Sequence, residues 1–258
     1  IITPSPGEEF TGDIKVEFGS RRERNILGYV EVPVTENIAF SLSAFENRRD
    51  NYYTNNGTKS NGEPGPDLFD ITASGVRLKA RWDITESLVL SLAASTNDVQ
   101  GNAGLNYENT RVSALGNALG MPEDPKADRR VKYDSQAGAT NESELASITL
   151  EWFTNLFDVK LIASDQEVDA PFVQADFDKS ELELVNITSI VQLSEQKTAE
   201  FQLLSNENTW LSDKFEWVFG LFYLESSGGF DPIAFDIKGS VAASILATQT
   251  GAAGQAVL

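Results

Sequence analysis

Apolar and polar residues alternate strictly in several separate stretches of this chain. In residues 13–18 the side chains of Ile14, Val16 and Phe18 fall on one face, and three charged residues fall on the other. A period of two is typical of a strand with two different faces. The pattern predicts nine strands, at about residues 10–19, 25–33, 37–46, 71–83, 88–97, 144–154, 157–166, 196–206 and 214–225.

The fourth predicted strand indicates which face meets which environment. Arg77, Lys79 and Arg81 share one face, and the opposite face carries Val76, Leu78, Ala80 and Trp82. A cation that faces lipid near the middle of a bilayer costs roughly 2 to 4 kcal/mol. We therefore expect the cations to face the interior of a barrel and the apolar set to face lipid.

The connections between predicted strands alternate between short and long from the third strand on. Turn residues mark short inner turns, and the long outer loops are predicted at 49–68, 98–142, 167–195 and 226–258. Trp82, Trp152 and Trp217 lie near strand ends beside short turns, and we interpret them as lipid-interface anchors rather than sugar-stacking platforms.

This pattern predicts an all-β fold, an antiparallel transmembrane β-barrel segment. No apolar run reaches the roughly 18 to 20 residues that a spanning helix needs, and a closed barrel is the other structure that satisfies its backbone within lipid. Nine is an odd number, whereas single-chain bacterial barrels have even numbers of strands. We therefore expect these strands to be part of a larger barrel.

Composition removes several classes of function. The 258 residues contain no cysteine and no histidine, so thiolate and imidazole chemistry, including zinc sites and Ser-His-Asp triads, is closed. The formal net charge of −19 argues against nucleic-acid binding. We predict that the chain is not an enzyme and that it uses no cofactor.

Carboxylates are the remaining candidates for chemistry. The acidic run consists of Asp165, Glu167, Asp169, Asp176, Asp178, Glu181 and Glu183. These residues offer the oxygen ligands that calcium prefers, but they lack the spacing of an EF-hand loop. A solvated loop is the favoured interpretation and a metal site the alternative. No catalytic role is assigned to paired carboxylates, because a sequence does not show their separation.

Two groups of residues are candidates for ligand binding. Tyr52, Tyr53 and Asn55 stand near the start of an outer loop, where aromatic side chains either contact a ligand or belong to an interface girdle. Arg77 and Arg81, on the inner face, could contact an anionic ligand in transit. The favoured alternative is that these cations pair with acids of a plug or of nearby strands such as Asp13, Glu17 and Glu31.

Several segments, in this order, resemble the TonB-dependent receptors of Gram-negative outer membranes. They are Ile1-Ile2-Thr3-Pro4-Ser5-Pro6 with Glu9-Phe10-Thr11-Gly12, Gly28-Tyr29-Val30-Glu31-Val32-Pro33, Asp50-Asn51-Tyr52-Tyr53-Thr54-Asn55, Glu200-Phe201-Gln202-Leu203-Leu204-Ser205 and Trp217-Val218-Phe219-Gly220-Leu221-Phe222-Tyr223. Asn51 stands where the family usually has glycine. The resemblance covers roughly residues 1–235.

The resemblance implies the end of a plug domain and linker at 1–9, and a partial barrel at 10–258 that belongs to a plugged barrel of about 22 strands. It also implies an outer-membrane location and active import of a scarce nutrient, such as a ferric siderophore, cobalamin or an oligosaccharide. The implied partners are outer-membrane lipid, the nutrient, and a TonB-type protein that supplies energy through a region upstream of residue 1. The alternatives are a passive porin-like channel and a soluble all-β carbohydrate-binding module.

Overall fold

A computed structural model describes residues 5–58, 62–65, 67–101, 130–131, 133–134, 138–176, 185–210, 212 and 214–239. Within these residues the chain forms eleven strands. Their bounds are β1 Thr11–Phe18, β2 Arg24–Thr35, β3 Ile38–Arg49, β4 Thr54–Asn55, β5 Ile71–Thr85, β6 Leu88–Gly101, β7 Arg130–Val131, β8 Gly138–Phe153, β9 Phe157–Asp176, β10 Val185–Ser205 and β11 Val218–Ile237.

Nine of these strands form one antiparallel sheet in the order β1-β2-β3-β5-β6-β8-β9-β10-β11. Successive long strands pair with each other, as in a barrel wall built from successive hairpins, and β1 and β11 are the edges of the described sheet. The two-residue strands β4 and β7 form a separate parallel pair that joins two outer loops. The predicted fold class, an all-β antiparallel segment with nine wall strands, is confirmed.

In a band that crosses the sheet, the register separates an apolar face from a mostly polar one, although the row of Leu78 continues into Asp165, Lys197 and Glu225 on the last three strands. Directly opposed residues of an antiparallel pair point to the same side, so each row of partners belongs to one face. One row on the apolar face consists of Ile38, Trp82, Leu90, Leu150, Leu161, Phe201 and Leu221. The neighbouring row on the opposite face consists of Ala39, Arg81, Ser91, Thr149, Ile162, Glu200 and Phe222.

The apolar face is the more exposed of the two. Leu78 and Ile148 are 48% and 45% exposed, whereas Arg77 and Lys79 on the opposite face are half-buried. This asymmetry is the one expected of a curved sheet, whose inner side chains are crowded. We call the face of Arg77 the inner face and that of Leu78 the outer face. The predicted orientation of the fourth strand therefore agrees with the structure.

The wall strands near the end of the chain are longer than predicted. β9 continues to Asp176, β10 begins at Val185 and β11 continues to Ile237. The predicted outer loops 167–195 and 226–258 are therefore wrong where they overlap these strands, and β6 and β8 likewise extend into the predicted loop 98–142. Residues 214–217, which the pattern predicts as the start of the ninth strand, lie before β11 and are not part of a strand.

The length of the strands explains why the sequence pattern did not predict their outer ends. A strand of 20 residues such as β9 spans about 66 Å, whereas an apolar band about 25 Å tall is crossed by roughly ten tilted residues. Beyond that band no face has to be apolar. In this part of β9 the acidic residues Asp165, Glu167 and Asp169 alternate with Gln166 and Val168. Because neither face is continuously apolar there, the pattern did not predict a strand.

Among the described residues, no helix has the length and apolarity to span a membrane.

Candidate functional site

The inner face carries polar and charged side chains in successive rows. Nε of Arg81 donates to Oδ1 of Asp83 at 2.9 Å, two residues along β5. In the row that contains Asp83, Nζ of Lys160 lies 2.9 Å from Oε1 of Glu151 on the neighbouring strand. These side chains are partly exposed, so the ion pairs contact solvent. The face is polar, as the wall of a water-filled or plugged lumen requires.

The expected pairing of the inner cations with distant acids is wrong for Glu17 and Glu31. Glu17 pairs with Lys15 at 2.9 Å. Glu31 instead accepts hydrogen bonds from Gly7 and Tyr29. The physical reason is competition: both carboxylate oxygens of Glu31 already have nearer donors, and Lys79 lies two strands away, about 10 Å, across β3.

Asp13 shares a row with Arg77, but β2 and β3 lie between β1 and β5. Three strand spacings are about 14 Å, which excludes a direct ion pair. Among the residues that the structure describes, no ion pair of Arg77 is found. Arg77 lies opposite Ser43 and Ser95, and its guanidinium is therefore flanked by small polar side chains on both neighbouring strands.

The segment that precedes β1 lies against the inner face. The backbone N–H of Gly7 donates to Oε1 of Glu31, and the hydroxyl of Tyr29 donates to Oε2 at 2.5 Å. Pro6 is buried, and Glu31 is only 8% exposed. A cleft at this place is lined by Pro6, Gly7, Glu8, Thr35, Glu36, Asn37, Ile38, Ala39, Arg81 and Asp83. The chain therefore enters its first strand from the inner side.

Asn55 joins two outer loops that are distant in sequence. Its Oδ1 accepts from the backbone N–H groups of Gly57 and Tyr133, each at 2.9 Å, and its Nδ2 donates to the carbonyl of Tyr133 at 3.1 Å. Its own N–H donates to Asp67 at 2.9 Å. Asn55 is 6% exposed, and its side chain is occupied by these bonds. This geometry supports a positioning role; direct ligand contact by Asn55 stays a prediction.

A small apolar cluster forms around this joint. Leu68 and Tyr133 are fully buried, and Tyr53 and Phe69 pack against them, with the two rings 5.2 Å apart. A side chain at Gly57 would collide with the backbone of Tyr133, since a Cβ there would lie 2.3 Å from its carbonyl oxygen. Burial, and secondarily the charge of Asp176, raises the pKa of the Tyr133 phenol far above its usual range. The phenol therefore stays protonated.

Tyr52 is the most accessible of the three predicted loop residues. Its ring lies between two guanidinium groups, with Cζ of Arg21 4.4 Å and Cζ of Arg49 5.0 Å from the ring centroid. The ring is held by cation–π contacts and is 37% exposed. Tyr52 is thus partly exposed, whereas the ring of Tyr53 packs against Phe69. Contact of either tyrosine with a ligand stays a prediction.

The structure brings Tyr52, Tyr53 and Asn55 together in one outer cluster. It places Arg77 and Arg81 separately, on the inner face of β5. Leu68, Phe69 and Tyr133 are the cluster residues that the sequence did not predict. The stretch around Tyr133 has no periodicity. Asn55, whose side chain hydrogen-bonds to the backbone of Tyr133, is 78 positions away in the sequence.

The three tryptophans lie toward the inner-turn end of the sheet. Trp82 and Trp152 are on the outer face and are 45% and 52% exposed. Trp217 precedes β11, and its backbone N–H donates to Oγ of Ser205 at 2.8 Å. Trp210, in the turn between β10 and β11, is 81% exposed and was not singled out from the sequence.

The predicted acidic loop is partly strand. Asp165, Glu167 and Asp169 lie in β9, and Glu167 is directly opposite both Glu144 of β8 and Glu195 of β10. Asp176 is buried at the end of β9, and Asp178, Glu181 and Glu183 lie outside the described residues. In the described part of the chain, no three acidic side chains are grouped so as to hold a metal ion.

Comparisons with known proteins identify the fold. No family model matches the chain, and no curated protein matches it. The ferric yersiniabactin uptake receptor FyuA from Yersinia pestis is similar in structure, with a TM-score of 0.71 and 15% identity over 91% of this chain and 33% of that one.

The siderophore receptor PiuA from Acinetobacter baumannii is also similar (TM-score 0.64, 13% identity, 95% of this chain and 35% of that one), as is FpvAI in its complex with pyocin S2 (TM-score 0.63, 12% identity, 91% and 30%). The chain spans about a third of the length of these proteins. Its fold is that of a segment of the β-barrel of TonB-dependent siderophore receptors, which confirms the resemblance at the level of fold.

Proposed function

We propose that this chain is part of a TonB-dependent outer-membrane receptor that imports a small iron chelate of the ferric siderophore class. Two of the similar structures are described as a ferric yersiniabactin uptake receptor and a siderophore receptor. In this proposal the chain contributes barrel wall and outer loops and catalyses no reaction. Its location is the outer membrane of a Gram-negative bacterium.

The observation that carries the proposal is the combination of an apolar outer face with an entry segment on the inner face. One outer row is apolar across eight strands, as contact with lipid requires, and consists of Val32, Phe40, Ala80, Leu92, Ile148, Ala163, Ala199 and Tyr223. Trp82 and Trp152 lie near the inner turns, where an aromatic girdle would meet the inner interface.

The inner position of residues 5–9 favours a plugged transporter over a passive porin. The contact of Gly7 with Glu31 leads the chain into β1 from within the lumen, which is the path expected when a plug precedes the barrel. An open pore requires no such segment. The third possibility, a soluble carbohydrate-binding module, is disfavoured because the apolar face has no second layer among the described residues.

The ligand would first meet the outer loops. Tyr52 presents an accessible ring between two arginines, a surface that suits an anionic and partly aromatic chelate. Arg77, with small polar neighbours, lies on the proposed route through the lumen. Energy would come from a TonB-type partner acting on chain upstream of the described segment.

The test is uptake by the full-length protein in a strain that lacks its own copy of the gene. Under iron limitation we expect accumulation of radiolabelled ferric siderophores to depend on the gene and on the energy-transducing partner. The protein should be recovered with outer membranes and should migrate faster on gels before boiling than after. Energy-independent diffusion of solutes would favour the porin, and recovery without detergent would favour the soluble module.

A matched pair of variants tests the loop site. Tyr52→Ala should weaken binding of the transported chelate to whole cells about tenfold, as the loss of a good aromatic contact at a binding site does. Trp210→Ala removes an exposed aromatic residue from the opposite end of the sheet and should leave the affinity unchanged. Equal effects of the two changes would contradict a ligand contact by Tyr52.

A further inference from the structure

Glu31 uses both of its carboxylate oxygens on the inner face. Oε1 accepts the backbone N–H of Gly7, and Oε2 accepts the hydroxyl of Tyr29 at 2.5 Å. The residue is 8% exposed, and a carboxylate that is so enclosed must be compensated by donors. The hydroxyl donor, Tyr29, lies on the same strand as Glu31, whereas Gly7 belongs to the segment that precedes β1.

The surroundings fit that segment closely. Pro6 is buried in the cleft beside Gly7, and a Cβ at Gly7 would lie 2.8 Å from Oε1 of Glu31. Thr11, the first residue of β1, is the register partner of Glu31. The five residues from Gly7 to Thr11 therefore cross the inner surface beside the carboxylate.

We propose that Glu31 is a positioning residue that anchors the segment before β1 to the barrel wall. This inference rests on the proposed function, in which a TonB-type partner acts on chain upstream of the described segment. A pull on that chain reaches Gly7 before it reaches the ladder between β1 and β2. The charge-assisted bond to Glu31 holds the segment there, so that movement ends at Gly7 and the first strand keeps its pairing.

The direct test measures access to the anchored segment in the purified full-length protein. This chain has no cysteine, so Pro6→Cys places a reporter thiol in the cleft, and the protein without it gives the background. Glu31→Ala should raise the rate of maleimide labelling about tenfold, the factor that corresponds to about 1.4 kcal/mol. Glu31→Gln keeps an acceptor for the Gly7 N–H and should restore most of the protection.

Asp13→Asn is the matched control, because Asp13 lies on the same face but, among the described residues, has no hydrogen bond or ion pair with the segment. It should leave labelling unchanged. Tyr29→Phe removes one donor while Glu31 remains, and it should raise labelling by a smaller factor. If Glu31→Ala does not give the heat-modifiable folded form, Tyr29→Phe decides. Unchanged labelling in the folded variants overturns the proposal.

Uptake measurements separate this inference from the proposed function. In the Glu31→Ala protein we expect an unchanged affinity of cells for the ferric siderophore and a transport rate reduced several-fold, and Glu31→Gln should recover the rate. If the unmodified protein imports no siderophore, the proposed function fails, whereas the labelling result still decides whether Glu31 anchors the segment.

Discussion

Two adjacent alanines on β6 allow a sharp test of which face meets lipid. Ala93 is the register partner of Lys79 on the inner face, and Ala94 is the partner of Leu78 on the outer face. Replacing each with arginine introduces the same side chain at neighbouring positions. Backbone propensity and the lost alanine are therefore matched, and only the direction of the new charge differs.

The expected loss of stability depends on how deep in the bilayer the new arginine lies. Leu78 lies midway between Trp82, near the inner interface, and Ser74, where the outer face becomes polar. Each half is about 13 Å along the strand, which places Leu78 and its partner Ala94 close to the middle of an apolar band about 25 Å tall. An outward arginine there should destabilise the barrel by about 2 to 4 kcal/mol.

Ala93→Arg places its cation in the polar lumen. Its main penalty is repulsion by Lys79 across the strand pair, at most about 1 kcal/mol.

The assay is reversible urea unfolding of the full-length protein in phospholipid vesicles, followed by tryptophan fluorescence. Ala94→Arg should lower the free energy of unfolding by at least about 1 kcal/mol more than Ala93→Arg does. Equal losses, or a larger loss for Ala93→Arg, would refute the assignment of faces. The interpretation of the apolar rows as a lipid-facing surface would then fail with it.

The outer loops and the acidic strands give three further predictions. Asn55→Ala removes three side-chain hydrogen bonds and should open the joint between the loops by about 2 to 4 kcal/mol, seen as faster proteolysis near Tyr133, whereas Asn55→Asp keeps both acceptor bonds and should lose less. Glu167→Gln removes repulsion from Glu144 and Glu195 and should stabilise the wall by at most about 1 kcal/mol at low salt; a loss of stability would contradict this. Because burial raises the pKa of Tyr133 in the folded state, the unfolded loop gives up its proton first, so protection from proteolysis should be constant below pH about 10 and should decline above it. Tyr133→Phe should abolish that decline.

The sequence alone determined the type of element, the number of wall strands and the assignment of faces. Each depends on local alternation, and the cost of a charge in lipid acts on every residue separately. The cations Arg77, Lys79 and Arg81 were enough to orient their strand, and the register confirmed the result across the neighbouring strands. The outer half of β9 was not predicted, because outside the bilayer neither face of a strand has to be apolar.

Only the tertiary structure decided which polar groups meet. Asn55 contacts Tyr133 across 78 positions, and no period connects them. The inner acids were expected to pair with inner cations, but Lys79 lies two strands from Glu31, about 10 Å away, and Gly7 and Tyr29 are the nearer donors. A one-dimensional pattern specifies which face a side chain occupies, whereas its partner depends on how many strands lie between them and on where the loops cross.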